Sequence, residues 1–337
     1  MAQTTSRITS EIDLNREGKQ VGFLRLPHSV HRSAYGWIPI PVACIGNGSG
    51  PRVLLMAGNH GDEYEGQVAL SRVLRETEAA DVRGRLVFLT SANFPAALAG
   101  TRTSPIDDGN LNRSFPGDPD GGVTAQIAFY IEHVLLPQCD YVFDLHSGGS
   151  SLMYVPSGLC RRHDDPARMA HALALLTAFG APMSYVADAP QGGDRTLTAA
   201  ASRRGVMHMG SELGGGGTLS IGALRTAQEG IRRVLRLIGA LGEGVAVPPA
   251  PATRLLQVRG ADYFVYAGDG GLFEPLVDVG DEVAAGQEAG IIHFHDTPWR
   301  EPATALFRRA GTVLCKRMPC RTERGDCLFH LGTPYEA

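Results

Sequence analysis

The sequence predicts an α/β protein: a mixed, mostly parallel sheet covered by helices, followed by a small all-β domain at the C-terminus. Two observations carry this. Between Val53 and Ile238 short apolar runs alternate with amphipathic stretches, the rhythm of successive strands and helices. After Leu241 the helical periodicity stops, a segment rich in Pro, Gly and Ala follows, and only short β-type runs separated by glycines remain.

Taken in order, residues 8–45 read as strands, with runs over 21–26 and 37–42 that pair at a sheet edge, because Pro39 and Pro41 are poor guests in a central strand. A strand over 53–57 then leads to a helix over 63–77, a strand over 86–90 to a loop, and a helix over 124–136 to a strand over 141–145. A helix over 166–179 leads to a strand over 183–187, a helix near 196–203 to a strand over 206–212, and a long amphipathic helix carries Ile221, Leu224, Ile231, Leu235 and Ile238. Such alternation implies a sheet covered on both faces, with ligands bound beyond the carboxyl ends of its strands. Residues 1–245 are thus read as the catalytic domain, 246–252 as the linker and 253–337 as the β-domain, with β-type runs over 255–258, 263–266, 272–274, 290–294 and 312–315.

A chain of 337 residues with a formal net charge of −4 can bury a large core and offers no basic run for nucleic acid or an anionic membrane. The stretch from Met1 to Gln20 is polar, and no uninterrupted apolar window is long enough to span a bilayer, so the expectation is a soluble cytoplasmic protein acting on a small molecule. The 6 cysteines lack C-x-x-C spacing and suit reduced thiols; Cys315, Cys320 and Cys327 match no usual zinc motif.

The stretch with most chemistry is Gly58-Asn59-His60-Gly61-Asp62-Glu63, which follows an apolar strand. A helix starting near Asp62 would put His60 on the loop and Glu63 in the first turn, so that both side chains converge, with Gly58 and Gly61 permitting the turns. Zinc accepts imidazole and carboxylate, and a catalytic site takes three protein ligands, leaving one position open. Alone, a His-x-x-Glu also fits a capped helix start with a surface carboxylate. His146 is the third candidate, since it too closes an apolar strand and precedes glycines; Asp144, two residues before it, either orients that imidazole or is a turn residue. Glu212 ends another strand before four glycines and suits general acid/base work, though a turn-capping carboxylate has the same pattern. The loop over 100–117 supplies Arg102 and Arg113, guanidiniums able to bind a carboxylate or stabilise an oxyanion.

Together, His60-x-x-Glu63, the pair Asn112-Arg113, Asp144-x-His146 and Glu212-x-Gly214 resemble the succinylglutamate desuccinylase/aspartoacylase family, relatives of the zinc carboxypeptidases, over essentially the whole chain. The resemblance implies a zinc-carboxypeptidase-like fold and one Zn²⁺ held by His60, Glu63 and His146. It further implies that Arg102 polarises the scissile carbonyl and holds the oxyanion, Asn112 and Arg113 grip the substrate carboxylate, and Glu212 activates water. Asn110 stands where aspartoacylases usually have Asp before Leu-Asn-Arg, and the loop between Arg102 and Asn112 is longer than theirs. The strings over 58–70 and 108–117 look most like the branch of Nα-acetyl-L-2,4-diaminobutyrate deacetylases of ectoine degradation. That implies removal of an acetyl group from an N-acyl amino acid whose side-chain ammonium needs an acidic partner, for which Asp188 and Asp194 are candidates.

The segment over 270–287 resembles the turns of lipoyl/biotinyl-type β-sandwiches, but the one lysine of that domain, Lys316, sits outside any such turn, so a structural or gating module fits better than a carrier. Three alternatives stay open: an N-acetylaspartate or succinylglutamate deacylase of the same family, a carboxypeptidase-like zinc peptidase, and a non-enzymatic carrier with a vestigial metal site. A homo-oligomer is compatible with all of them.

Overall fold

The computed structural model describes residues 5–188 and 192–336. Its strands are β1 (Thr9–Ser10), β2 (Gly18–Pro27), β3 (Trp37–Asn47), β4 (Arg52–Ala57), β5 (Gly84–Leu89), β6 (Tyr141–His146), β7 (Leu152–Tyr154), β8 (Ser157–Arg161), β9 (Met183–Ala187), β10 (Met207–Glu212) and β11 (Arg254–Val258). The helices among them are α1 (Tyr64–Glu76), α2 (Phe94–Ala99), α3 (Val123–Tyr130), α4 (Pro166–Phe179), α5 (Leu197–Arg203) and α6 (Ile221–Leu237). The C-terminal strands are β12 (Phe264–Tyr266), β13 (Gly271–Pro275), β14 (Glu282–Val283), β15 (Glu288–His293), β16 (Ala303–Leu306), β17 (Gly311–Arg317), β18 (Arg321–Thr322) and β19 (Cys327–Pro334).

The large sheet runs β1-β2-β3-β5-β4-β6-β10-β8-β9-β11-β19-β17-β14. Its centre, β5-β4-β6-β10, is parallel, but β3 meets β5, β8 meets β10 and β19 meets β11 in antiparallel fashion. The sheet is therefore mixed rather than mostly parallel. The reason is local: β8 is a short strand containing Ser157 and Gly158, with too little apolar pattern to signal its insertion between β10 and β9.

Side-chain alternation on the central strands explains the covering on both faces. Val53, Leu55, Phe143 and Leu145 pack into one apolar cluster with α1, α4 and α6, whereas Leu54, Met56 and Val142 pack into a second with α3 and α5. The prolines of β3 obey the ladder as well. Pro39 and Pro41 lie opposite Arg25 and Phe23 of β2, and pairing with β5 starts only at Ala43, so no second ladder calls on the missing amide protons.

Several boundaries differ from the expected ones. The helix expected over 124–136 remains α-helical only to Tyr130; a π-turn covers Ile131–Leu135 and Pro137 tightens Leu136–Gln138 into a 3₁₀ turn. Glu63 is the N-cap of α1, with φ −102° and ψ 93°, rather than a residue of its first turn. All 6 cysteines are free, and no helix among the described residues is long and apolar enough to cross a membrane.

After the segment over 246–252 the chain rejoins the sheet: β11 pairs in parallel with β9, and β7 pairs with β17. A second, four-stranded antiparallel sheet, β16-β15-β13-β18, packs through Phe273, Ile292 and Phe307 onto Val313, Phe329 and Leu331 of the first. Lys316 lies within β17 and pairs with Asp278 at 2.9 Å.

Gly66 shows how closely α1 is seated over the site. A Cβ there would lie 2.6 Å from Cβ and 2.7 Å from O of Leu145. Alanine would gain about 1 kcal/mol of helix propensity, yet overpacking costs roughly 1–3 kcal/mol, so the clash wins. Gly66→Ala is expected to destabilise the fold, read as a lower denaturation midpoint at unchanged slope; a raised midpoint would show that α1 shifts freely.

Candidate metal centre and active site

β4, β6 and β10 lie side by side in parallel, with Ala57 opposite Leu145 and His146 opposite Glu212. Their carboxyl ends therefore deliver three loops to one edge, where an α/β sheet binds ligands. Gly58 turns the chain out of β4 at φ 67°, a conformation other residues resist, and His60 and Glu63 follow in the turn before α1.

The nitrogen and oxygen donors of His60, Glu63 and His146 all lie within 4.8 Å of one another. Glu63 is the hub: its Oε1 is 2.7 Å from Nδ1 of His60, its Oε2 is 2.8 Å from Nδ1 of His146, and Oε2 also accepts the Ser147 amide at 3.2 Å. The outward ring nitrogens are engaged too. Nε2 of His146 lies 2.7 Å from Oδ2 of Asp144, and Nε2 of His60 lies 3.1 Å from Oδ1 of Asn110. Both partner oxygens can accept a ring proton from Nε2, and in that tautomer Nδ1 of each imidazole is free to ligate a cation.

Burial alone would raise the pKa of Glu63, but the two imidazoles beside it prevail and hold its carboxyl far below the usual range. Burial opposes charge on His146, while Asp144 and Glu63 hold its pKa well above the ordinary value. A divalent cation held by His60, Glu63 and His146 would replace the protons this cluster otherwise needs. Two imidazoles and one carboxylate, with each imidazole oriented from behind, are a donor set that fits zinc.

Glu212 lines the same cleft from β10. Burial, reinforced by the charge of Glu63, pushes its pKa up to about 8. Its position relative to His146 is set by backbone contacts between the loops that follow β6 and β10: Gly148 N–H donates to Gly214 O at 3.0 Å and Gly216 N–H to Leu152 O at 2.9 Å. The approach is so close that a Cβ on Gly215 would fall 2.1 Å from Leu152 O.

Arg102 reaches within 3.5 Å of Oε1 of Glu63 from a largely exposed position. Asn112 is anchored through Oδ1, which accepts the Leu197 amide at 2.9 Å, and its amide nitrogen lies at the cleft 3.5 Å from Nε2 of His146. Arg113 is half-buried beside it, and desolvation, with some repulsion from Arg102, lowers its pKa. The structure thus brings together His60, Glu63, Arg102, Asn112, Arg113, His146 and Glu212 around one cleft. It does not bring Asp188 or Asp194 to the cleft: Asp188 accepts from Nε of Arg162 at 2.8 Å, and neither lines the cavity. Residues 189–191 of that loop lie outside the described residues.

Four contributors escaped the sequence reading. Asn59 donates to Oδ2 of Asp144 at 3.1 Å and Asn110 supports His60; the adjacency of Asn59 to His60, and the Asn110 departure from the aspartoacylase pattern, were the available signals. His208, whose pKa burial lowers to about 4, and an aromatic wall assembled from β7, β9, β12 and β19 had none.

If the outward partners orient the ligands, Asp144→Asn and Asn110→Ala should each weaken divalent-metal affinity about 10- to 100-fold. Competition with a chromogenic chelator measures this, and unchanged affinity in both would remove the orienting role.

Residues 49–238 match the succinylglutamate desuccinylase/aspartoacylase catalytic domain. Over 99% of its length the chain is 39% identical to the N-alpha-acetyl-L-2,4-diaminobutyric acid deacetylase of Halomonas elongata, covering 97% of that protein. Among solved structures it is similar to a succinylglutamate desuccinylase/aspartoacylase from Rhodobacter sphaeroides, with 40% identity, a TM-score of 0.92 and coverage of 98% of this chain and 100% of that one. It is equally similar to the product-bound ectoine utilization protein EutE (DoeB) of Ruegeria pomeroyi, with 40% identity, a TM-score of 0.93 and coverage of 98% and 99%. With its catalytic-domain match spanning all seven site residues and these likenesses running the length of the chain, the protein belongs to the succinylglutamate desuccinylase/aspartoacylase family.

Proposed function

We propose that the chain is a zinc-dependent deacetylase that converts Nα-acetyl-L-2,4-diaminobutyrate to L-2,4-diaminobutyrate and acetate. The observation that carries the reading is the His60-Glu63-His146 cluster with Glu212 on the neighbouring strand, in a chain 39% identical over its length to a deacetylase of that name. Zinc bound by the cluster would polarise the amide carbonyl and acidify a water.

The remaining steps belong to the side chains. Arg113 and the Asn112 amide receive the substrate carboxylate, the guanidinium pairing with it as a charge-assisted donor. That contact holds the acetamide against the cluster. Glu212 takes the proton of the attacking water; a carboxyl raised to about 8 by burial holds that proton well and can return it to the departing nitrogen. Arg102, at the edge of the cluster, donates to the oxygen on which negative charge develops.

The cleft has a volume of about 530 Å³, and its far wall comes from Val258, Arg259, Phe264 and His330. This enclosure suits an acylated amino acid better than the end of a peptide. In this reading residues 1–245 are the catalytic unit, and 253–337 form a module that closes the cleft and bounds substrate size.

The test is acetate release from Nα-acetyl-2,4-diaminobutyrate, beside N-acetylaspartate and N-succinylglutamate, with and without chelator. Hydrolysis of the first alone is expected, abolished by chelation and restored by zinc. Glu212→Gln should retain metal and lose about 10²- to 10⁴-fold in kcat. Turnover of an acidic substrate only would move the protein to another branch of the family, and chelator-resistant turnover would overturn the metal mechanism.

A further inference from the structure

We propose that the cationic side chain of the substrate is recognised by the aromatic end of the cleft, formed by Tyr154, Tyr185, Phe264 and His330, rather than by an acidic partner. The proposal rests on the deacetylase reading above.

Among the described residues the carboxylates lining the cleft are Glu63, Asp144 and Glu212. Glu63 and Asp144 are engaged with His60 and His146, and Glu212 has the proton-transfer role. Asp188 is paired with Arg162 and Asp194 lies off the cleft. No spare acid remains for an ammonium. At the carboxylate-binding end, Arg102 and Arg113 would repel it.

Sheet order carries the cleft from the metal-ligand strands β4 and β6, past Glu212 on β10, to Tyr185 on β9 and His330 on β19. Glu212 stands between the two ends: on β10 it lies opposite His146 of β6 on one side and opposite Ser157 of β8, the neighbour of β9, on the other. A substrate whose amide sits between the cluster and Glu212 therefore turns its side chain toward these rings.

The wall itself is built as a ring assembly. Phe264 stacks on His330 with centroids 4.4 Å apart and planes 6° from parallel, while Tyr154 and Tyr185 meet His330 edge-on at 6.1 and 5.6 Å. His330 is 4% exposed and neither ring nitrogen has a hydrogen-bond partner, an arrangement that needs explaining in a buried polar group. Burial pushes its pKa down to about 3, so it stays neutral and does not repel a cation. Aromatic faces attract ammonium groups through their quadrupoles, most strongly away from water. Arg259, the remaining cation of this wall, is drawn off by Gln257 at 3.0 Å and Glu336 at 3.4 Å.

The experiment compares kcat/KM for Nα-acetyl-2,4-diaminobutyrate with that for Nα-acetylnorvaline, which has the same shape without the charge. Tyr185→Leu should lower the cationic-to-neutral ratio about 3- to 30-fold, mainly through KM, and Tyr185→Phe, which keeps the ring, should preserve it. Phe264→Leu is the second variant should the first misfold. Calorimetric binding of free 2,4-diaminobutyrate and norvaline gives the same comparison without turnover. An equal fall for both ligands, or a wild-type protein without preference between them, overturns the proposal. A metal-loaded wild type that hydrolyses neither acetylated substrate but binds diaminobutyrate tighter than norvaline, with the difference lost in Tyr185→Leu, overturns the deacetylase reading and supports the aromatic site.

Discussion

Glu63 keeps a negative charge at 2% exposure because both of its oxygens are in use, by His60 and Arg102 on one side and by His146 and the Ser147 amide on the other. An isolated carboxylate at that depth would cost several kcal/mol. The charge can be buried only if the loop after β4 and the end of β6 arrive together, and the surrounding structure is arranged to make them do so. Asp62, one residue earlier, accepts both the amide and the hydroxyl of Ser150 at 2.8 Å, which ties the start of α1 to the loop after β6. α1 then lies on β6 at a distance that only a glycine at position 66 allows. The metal-binding geometry is thus a consequence of chain packing as much as of the ligands themselves.

Charge is ordered along the cleft in a way that follows from the same sheet. Guanidiniums from the loop before α3 stand at one end, the histidine-carboxylate cluster lies at the carboxyl ends of β4 and β6, Glu212 comes next on β10, and uncharged rings close the far end. Burial is the main cause of the pKa shifts along the cleft, raising Glu212 and both tyrosines and lowering Arg113; Glu63 adds to the rise of Glu212 and Arg102 to the fall of Arg113. In the orientation proposed above, a zwitterionic amino-acid derivative would lie with its carboxylate toward the arginines and its side chain toward the rings.

Much of this was legible in the sequence, for physical reasons that can be named. The apolar runs of β4 and β6 are buried on both faces and appear as hydrophobic segments, so His146 at the end of β6 and His60 in the loop after β4 stood out; Glu212 stood out because four glycines follow close behind it. Helix α4 begins at Pro166 behind an Asp165 cap and ends at Gly180, which fixed its boundaries to the residue. β8 and β7 were missed because short strands containing Ser, Gly or half-exposed residues carry no period to detect. Asp188 misled because its charge suited an ammonium, whereas its true partner, Arg162, is brought to it by the pairing of β8 with β9, a strand that had not been recognised.

The aromatic end was illegible for a deeper reason: its members come from β7, β9, β12 and β19, four segments spread over nearly the whole second half of the chain. What joins them is the parallel pairing of β11 with β9, after which Tyr185 packs in one apolar cluster with Val258, Val265 and Phe329. The wall of the cleft and the core of the C-terminal segment are therefore the same hydrophobic unit. On the proposed reading, the wall that would receive the substrate side chain belongs to that unit, whereas His60, Glu63, His146 and Glu212 are carried by the ends of β4, β6 and β10 and the loop after β4, which pair in one parallel register.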